Sequence, residues 1–201
     1  MKDFNTLANM EENMRIETFE KEIDVETYIE EYVNVEEFLK YCKQCENYNQ
    51  LWSCPEYNFH PVEYWSQYDT FYVLGNKIFL TDDEKTDWEH WLSVAKSSMS
   101  DVLYEKETHY PGSVSISAGS CQICGENNCT KTIGEPCRFP DKMRYSIESL
   151  GGNVGLTVSK LLGIKLLWLD GDKVPDYFVL VGGLLYSGGI SQTPSSTNLG
   201  L

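Results

Sequence analysis

The chain has 201 residues, of which 31 are acidic and 16 basic, giving a formal net charge of −15 at pH 7. That balance argues against nucleic acid or an anionic membrane as a partner, because both require a basic surface. A content of 41% hydrophobic and 13% aromatic residues is enough for a buried core, and the length suits one domain.

Residues 1–13 hold no apolar stretch of the kind a secretory signal needs, and read as a flexible N-terminus. The alternation in MRIETFEKEI predicts a short edge strand over 14–24. The acidic run over 11–37 reads as a solvated face. At NVEEFLKYC a helix is expected, with Asn34 as its cap and Glu37 in the capping-box position three residues on.

Asp69–Thr81 is rich in β-branched and aromatic residues and predicts a strand. Over 82–106, Trp88, Trp91, Leu92, Ala95, Met99, Val102 and Leu103 recur at helical spacing, so an amphipathic helix with acids at its positive end is expected. PGSVSISAGSC predicts a short strand leading into a cysteine cluster. The stretch 146–163 has helical character but is expected to break at Gly151, Gly152 and Gly155. IKLLWL predicts a strand, DGDK a turn and DYFVLVGGLLY a last strand. The order after Tyr68 is then β-α-β-(Cys loop)-α-β-β.

These elements imply an α/β (α+β) fold: a single small sheet with packed helices, holding two cysteine-rich metal-binding loops at the ends of elements. One domain over 14–186 is expected, followed by a flexible tail over 187–201. The longest apolar run, Tyr177–Tyr186, is about half the length of a membrane span. With no signal peptide and no span, the expected location is the cytoplasm, where thiols stay reduced.

The seven cysteines fall in two groups, Cys42, Cys45 and Cys54, then Cys121, Cys124, Cys129 and Cys137. An odd count in a reducing compartment fits disulfides poorly, and clustering points to ligands. The second group has spacing Cys-x2-Cys-x4-Cys-x7-Cys, with Gly125 allowing a tight turn after the second sulfur. Four thiolates complete a site for zinc or for a four-iron, four-sulfur (4Fe-4S) cluster.

Several features favour iron–sulfur over zinc. Only the first pair is close, whereas a zinc ribbon pairs two such knuckles. Cys54-Pro55 repeats the Cys-Pro ending of bacterial ferredoxin runs. Tyr41, Tyr48, Trp52, Tyr57, Ile123 and Phe139 supply apolar cover. Arg138, Lys142 and Arg144 supply positive charge for an anionic cluster. Trp52 and Arg138 are thus expected beside the bound group. The first group has three sulfurs. Either one iron stays open, or a ligand comes from His60, Glu46 or Glu56, or the seven sulfurs divide differently in space.

YCKQCENYNQLWSCP and GSCQICGENNCTKTIGEPCRFPDKMRYSIESLG resemble the predicted metal-binding proteins, a family without an assigned reaction found mainly in anaerobic bacteria and archaea. The matching positions are Cys42, Cys45, Tyr48, Trp52, Cys54 and Pro55, then Cys121, Cys124, Cys129, Cys137, Arg138, Pro140, Ser146 and Glu148. Glu56 stands where the family tends to have a second proline. The resemblance runs from about Asn34 to Gly151 and implies metal binding, with iron–sulfur as the favoured form.

Three functions are compatible with this reading. The first is a redox protein carrying one or two clusters and passing electrons to a partner protein, with no substrate pocket. The second is an enzyme with an open iron held by three cysteines; it expects a pocket beside Cys42, Cys45 and Cys54, with Glu56, His60 and Arg138 as assistants. The third is a zinc-stabilised interaction module. No P-loop is present, GGNVG lacks the strand of a dinucleotide fingerprint, and His60, His90 and His109 are widely separated.

Overall fold

The computed structural model describes residues 14–125, 127–171 and 173–188. The expected flexible N-terminus and nearly all of the expected tail lie outside these residues. Four strands form one antiparallel sheet in the order β1-β2-β4-β3: β1 Arg15–Asp24, β2 Thr70–Phe79, β3 Val114–Ile116 and β4 Phe178–Tyr186. The alternation read at 14–24 does build an edge strand, in register from Arg15 opposite Phe79 to Asp24 opposite Thr70. This is the mixed α+β class expected, with helices on both faces of one sheet.

Side chains of a strand alternate between faces, and the two faces are buried differently. On one face Phe71, Val73, Val181 and Leu185 pack with Val25, Tyr28, Trp65, Ile147, Leu150 and Val158. On the other, Tyr72, Leu74 and Leu184 meet Met99 and Leu103, while Ile78 meets Val94 and Ala95. The second face is covered by one long helix. The first is covered by short helices and turns, which also carry much of the cysteine-bearing chain.

Helix α1 (Val25–Tyr32) directly follows β1, capped by Asp24, whose carboxylate accepts from Thr27 N at 3.0 Å. It corrects the reading of the whole acidic run as a solvated face. The glutamates do face water, but Val25, Tyr28 and Tyr32 are buried. The Tyr28 hydroxyl shares a 2.8 Å hydrogen bond with Thr157 Oγ1, and its ring lies 4.8 Å from Phe71.

Helix α2 (Val35–Cys42) is capped as expected: Asn34 Oδ1 accepts from Glu37 N at 3.1 Å. Glu37 reaches back to the Asn34 side-chain amide at 3.0 Å rather than to its backbone. The Asn34 N–H donates instead to Gly151 O at 2.8 Å. Helix α3 (Pro61–Trp65) ends in a fully buried Trp65 that donates to Leu150 O at 3.0 Å.

The helix expected over 82–106 begins as a 3₁₀ turn at Glu84–Asp87 and continues as α4 (Trp88–His109). Val102, expected in its core stripe, is 44% exposed; Val94 is buried instead. The strand expected in PGSVSISAGSC is only the three residues of β3.

In 146–163 the break comes at Gly151 and Gly152, whereas Gly155, where a break was also expected, lies inside a helix. A 3₁₀ turn at Glu148–Leu150 stops at Gly151, whose φ is +80°. A short helix α5 (Val154–Leu156) then runs into a π-helical turn at Thr157–Leu161.

IKLLWL is not a strand. Leu162 and Ile164 join the core on the first face of the sheet, with Leu162 Cδ1 over Gly75, and this draws the segment across the face rather than along an edge. Trp168, later in the same run, is 77% exposed. The order after Tyr68 is therefore one strand shorter than expected. Among the described residues no helix is long and apolar enough to cross a membrane.

Candidate metal centre

The first cysteine group leaves α2 at Cys42, its last residue. Tight turns then gather the chain: Cys45 N donates to Cys42 O, Tyr48 N to Cys45 O and Cys54 N to Leu51 O, each at 3.0 Å. Tyr57 fixes the end of the loop by donating to Ser53 O at 2.7 Å. Its ring stacks on Phe59 at 4.8 Å and meets Tyr145 edge-on at 5.1 Å. Cys54 is buried on this aromatic floor, Cys42 is half-buried and Cys45 is exposed.

The second group is a closed excursion from β3. Ser117 N donates to Tyr145 O at 2.8 Å, so the chain leaves and returns at one point. Gly125, with φ +75°, turns the chain after Cys124, and its N–H donates to Gln122 O at 3.0 Å. The Arg138 guanidinium donates to Asn128 O at 2.7 Å, clasping the loop between Cys129 and Cys137. Arg144 makes a two-pronged pair with Glu107 of α4, at 2.7 and 2.6 Å, which anchors the returning chain.

Cys121, Cys124, Cys129 and Cys137 all line one small pocket, together with Leu51, Trp52, Ile123, Phe139 and Met143. Trp52 comes from the first loop, and its indole N–H is shared between Thr130 Oγ1 and Glu135 O, both at 3.3 Å. The structure thus brings Trp52 to the thiols of the second group. Arg138 sits on the loop exterior. Among the described residues, no three Cys, His, Asp or Glu side chains are gathered closely enough to share a single ion.

The two groups are joined by residues that local sequence patterns did not single out. Ser53, fully buried, accepts from Cys121 N at 3.1 Å and lies 3.8 Å from the Cys54 sulfur. Lys131 donates to Cys54 O at 2.8 Å and to Glu56 O at 3.2 Å. Lys96 of α4 donates to Ser120 O, and its ammonium acts on Cys121, Glu148 and Cys54.

Lys131 and Lys96 bring positive charge to bear on the sulfurs of Cys54, Cys121 and Cys129. Arg144, expected there, is committed to Glu107. The reason is topological: Glu107 faces the returning chain and offers both carboxylate oxygens.

Burial favours the protonated thiol at Cys42, Cys54 and Cys121. It pushes Cys42 up to about 11, helped by the neighbouring Cys54 and Cys45. Cys54 and Cys121 are also raised, chiefly by burial, against opposing hydrogen bonds from Ser53 and from Ile123 N. A bound cation would reverse this, since ligation requires the thiolate.

A second pocket, of about 390 Å³, lies beside the first group and is lined by Cys42, Glu56, Tyr57, His60 and Glu148 among others. Of the ligands considered for that group, Glu56 Oε1 accepts from Tyr48 OH at 2.8 Å, and His60 Nδ1 caps α3 by accepting from Val62 N at 3.3 Å. Glu46 is exposed and does not line this pocket.

Seven thiols in two coupled groups, sulfur-only in the second, form a donor set suited to a soft metal or an iron–sulfur core. No curated protein and no solved structure matches the chain. Residues 26–186, most of the chain, match the family described as Predicted metal-binding protein (DUF2284), and the chain belongs to that family.

Proposed function

We propose that the protein is an iron–sulfur protein whose second cysteine group holds a 4Fe-4S cluster, and that it passes electrons to a partner protein. The observation that carries this reading is the convergence of Cys121, Cys124, Cys129 and Cys137 on one pocket under the apolar cover of Trp52, Ile123 and Phe139. Such cover limits water and helps set a cluster's potential.

Ligand spacing supports a cluster over zinc, since only Cys121 and Cys124 form a close pair in the second group. Tetrahedral zinc at about 2.3 Å from each sulfur would draw the sulfurs within about 3.8 Å of one another. In a cluster each sulfur binds its own iron, so the four can stand further apart around a shared core. The four thiols here line a common space. A net charge of −15 suits docking to a basic redox partner.

A second reading has its own support. The pocket of about 390 Å³ beside Cys42 is of the size that takes a small ligand. It favours an enzyme using an iron held by Cys42, Cys45 and Cys54, with Glu56 and His60 in the wall. The test of both is reconstitution without oxygen, followed by a count of iron, sulfide and zinc in the wild type and in Cys54→Ser. Unchanged iron in that variant would remove the first group from the ligand set.

A further inference from the structure

Glu148 stands out among the polar groups of the described residues. It opens the 3₁₀ turn Glu148–Leu150, and its Oε2 is shielded from solvent with no hydrogen-bond partner. It forms no ion pair among the described residues. Lys96 lies within electrostatic reach, but its ammonium is hydrogen-bonded to Ser120 O. A buried carboxylate oxygen without a partner is costly, so native structures supply a donor, a cation or a metal.

The turn is held where it is by design of the backbone. Asn34 N donates to Gly151 O, and a side chain at Gly151 would meet Val35 Cα at 2.8 Å. This locks the turn against the start of α2, the helix whose last residue is Cys42. Glu148 and Cys42 consequently line the same pocket, and the Glu148 charge acts on the Cys42 thiol. The three-thiol group lacks a fourth donor, and Glu148 Oε2 lacks a partner of its own. One metal centre in the space between them would satisfy both.

We infer that Glu148 is the fourth ligand of the centre held by Cys42, Cys45 and Cys54, its carboxylate oxygen binding the iron that no cysteine reaches. This rests on the iron–sulfur reading above. It assigns the missing donor to a residue distant in sequence, and leaves Glu56 bonded to Tyr48 and His60 capping α3. A closed fourth position makes this centre an electron carrier rather than an open Lewis acid.

The test uses the full chain, reconstituted with ferrous iron and sulfide without oxygen, and compares wild type with Glu148→Gln and Glu148→Cys. Glutamine keeps the shape of the side chain, so folding is preserved, and circular dichroism checks it. Cyanide is the probe, because it binds an iron that has an open or weakly held position. After reduction with dithionite, which supplies the electron that makes the core paramagnetic, the expected result is a first-group electron paramagnetic resonance signal that cyanide leaves unchanged in wild type and alters in Glu148→Gln. In Glu148→Cys, a fourth thiolate restores insensitivity with the full iron content. If cyanide alters the wild-type signal as much as that of Glu148→Gln, the position is already open and Glu148 is not a ligand. If wild type takes up no iron and sulfide, the iron–sulfur reading itself falls.

Discussion

Lys131, two residues after Cys129, donates its ammonium to the carbonyl oxygen of Cys54 at 2.8 Å. One side chain thus ties the loop of the second cysteine group to the only buried cysteine of the first. It also sits 5.7 Å from the Trp52 ring centroid and feels the charge of both Cys54 and Cys129. The two groups are therefore one electrostatic unit, although 66 residues without cysteine separate them in sequence.

Removing that charge should make the bound centre harder to reduce. Reduction adds negative charge to an anionic cluster, and a nearby cation stabilises the product. Lys131→Met is expected to lower the reduction potential by tens of millivolts, about 60 mV corresponding to a tenfold change for one electron. Protein-film voltammetry of wild type and variant reads this directly; an unchanged or higher potential would count against Lys131 as a tuning residue.

Gly151→Ala should destabilise the fold and harm the first group more than the second. The residue has φ +80°, and an added Cβ would press on the Val35 backbone at 2.8 Å. Strain of this kind costs about 1–3 kcal/mol before the clash is relieved. Urea unfolding should show a loss of at least about 2 kcal/mol, and metal content should fall chiefly at the Cys42 side.

The Glu107–Arg144 pair is expected to make stability depend on acid. Both side chains are largely buried, at 17% and 12% exposure. Burial alone would raise Glu107, but the hydrogen bonds from Arg144 and Ser115 outweigh it and hold the carboxyl below its ordinary value. A depressed folded-state value means the pair stabilises the fold above the ordinary carboxylate range. That contribution is lost as pH falls through the lower, folded-state value. Glu107→Gln should therefore cost about 3 kcal/mol at pH 7, by leaving Arg144 unpaired. The gap between variant and wild type should narrow in strong acid, as followed by thermal unfolding across pH.

Metal loading should fall as pH drops. Cys42 is pushed up to about 11, mainly by burial, and Cys54 and Cys121 are raised as well. At neutral pH these thiols hold protons that the metal must displace, so each ligand adds to proton release on binding. Metal titrations between pH 6 and 8, at roughly neutral conditions where the fold is intact, should show affinity rising with pH. An affinity independent of pH would mean that binding displaces no protons from these thiols.

Much of the scaffold was legible because its signals are local. Alternation at 14–24 and the β-branched run after Asp69 gave strands that the sheet contains. Asn34 and Glu37 gave the start of α2. Helix α1 carried a signal too, since Val25, Tyr28, Ile29 and Tyr32 fall on one helical face behind the Asp24 cap, but its glutamates masked it. IKLLWL has strand composition, yet packing on the sheet face over Gly75 decided its path. Composition cannot report that competition.

The site divides the same way. Cysteine spacing located both groups, and Trp52, expected beside the bound group, lines the pocket of the second group's thiols. Ser53, Lys96 and Lys131 could not be found locally, because each acts on partners 24 to 77 residues away. Glu148 matched a family pattern, but its shielded, unpartnered oxygen is a property of the fold alone.

The central claim is that these cysteines hold iron and sulfide. Purification without oxygen, followed by counts of iron, acid-labile sulfide and zinc per chain, tests it most directly. The account predicts a brown protein with iron and sulfide in equal amounts, about four of each for the second group alone and about eight with both groups filled. A colourless protein carrying zinc, with neither iron nor sulfide, would contradict it.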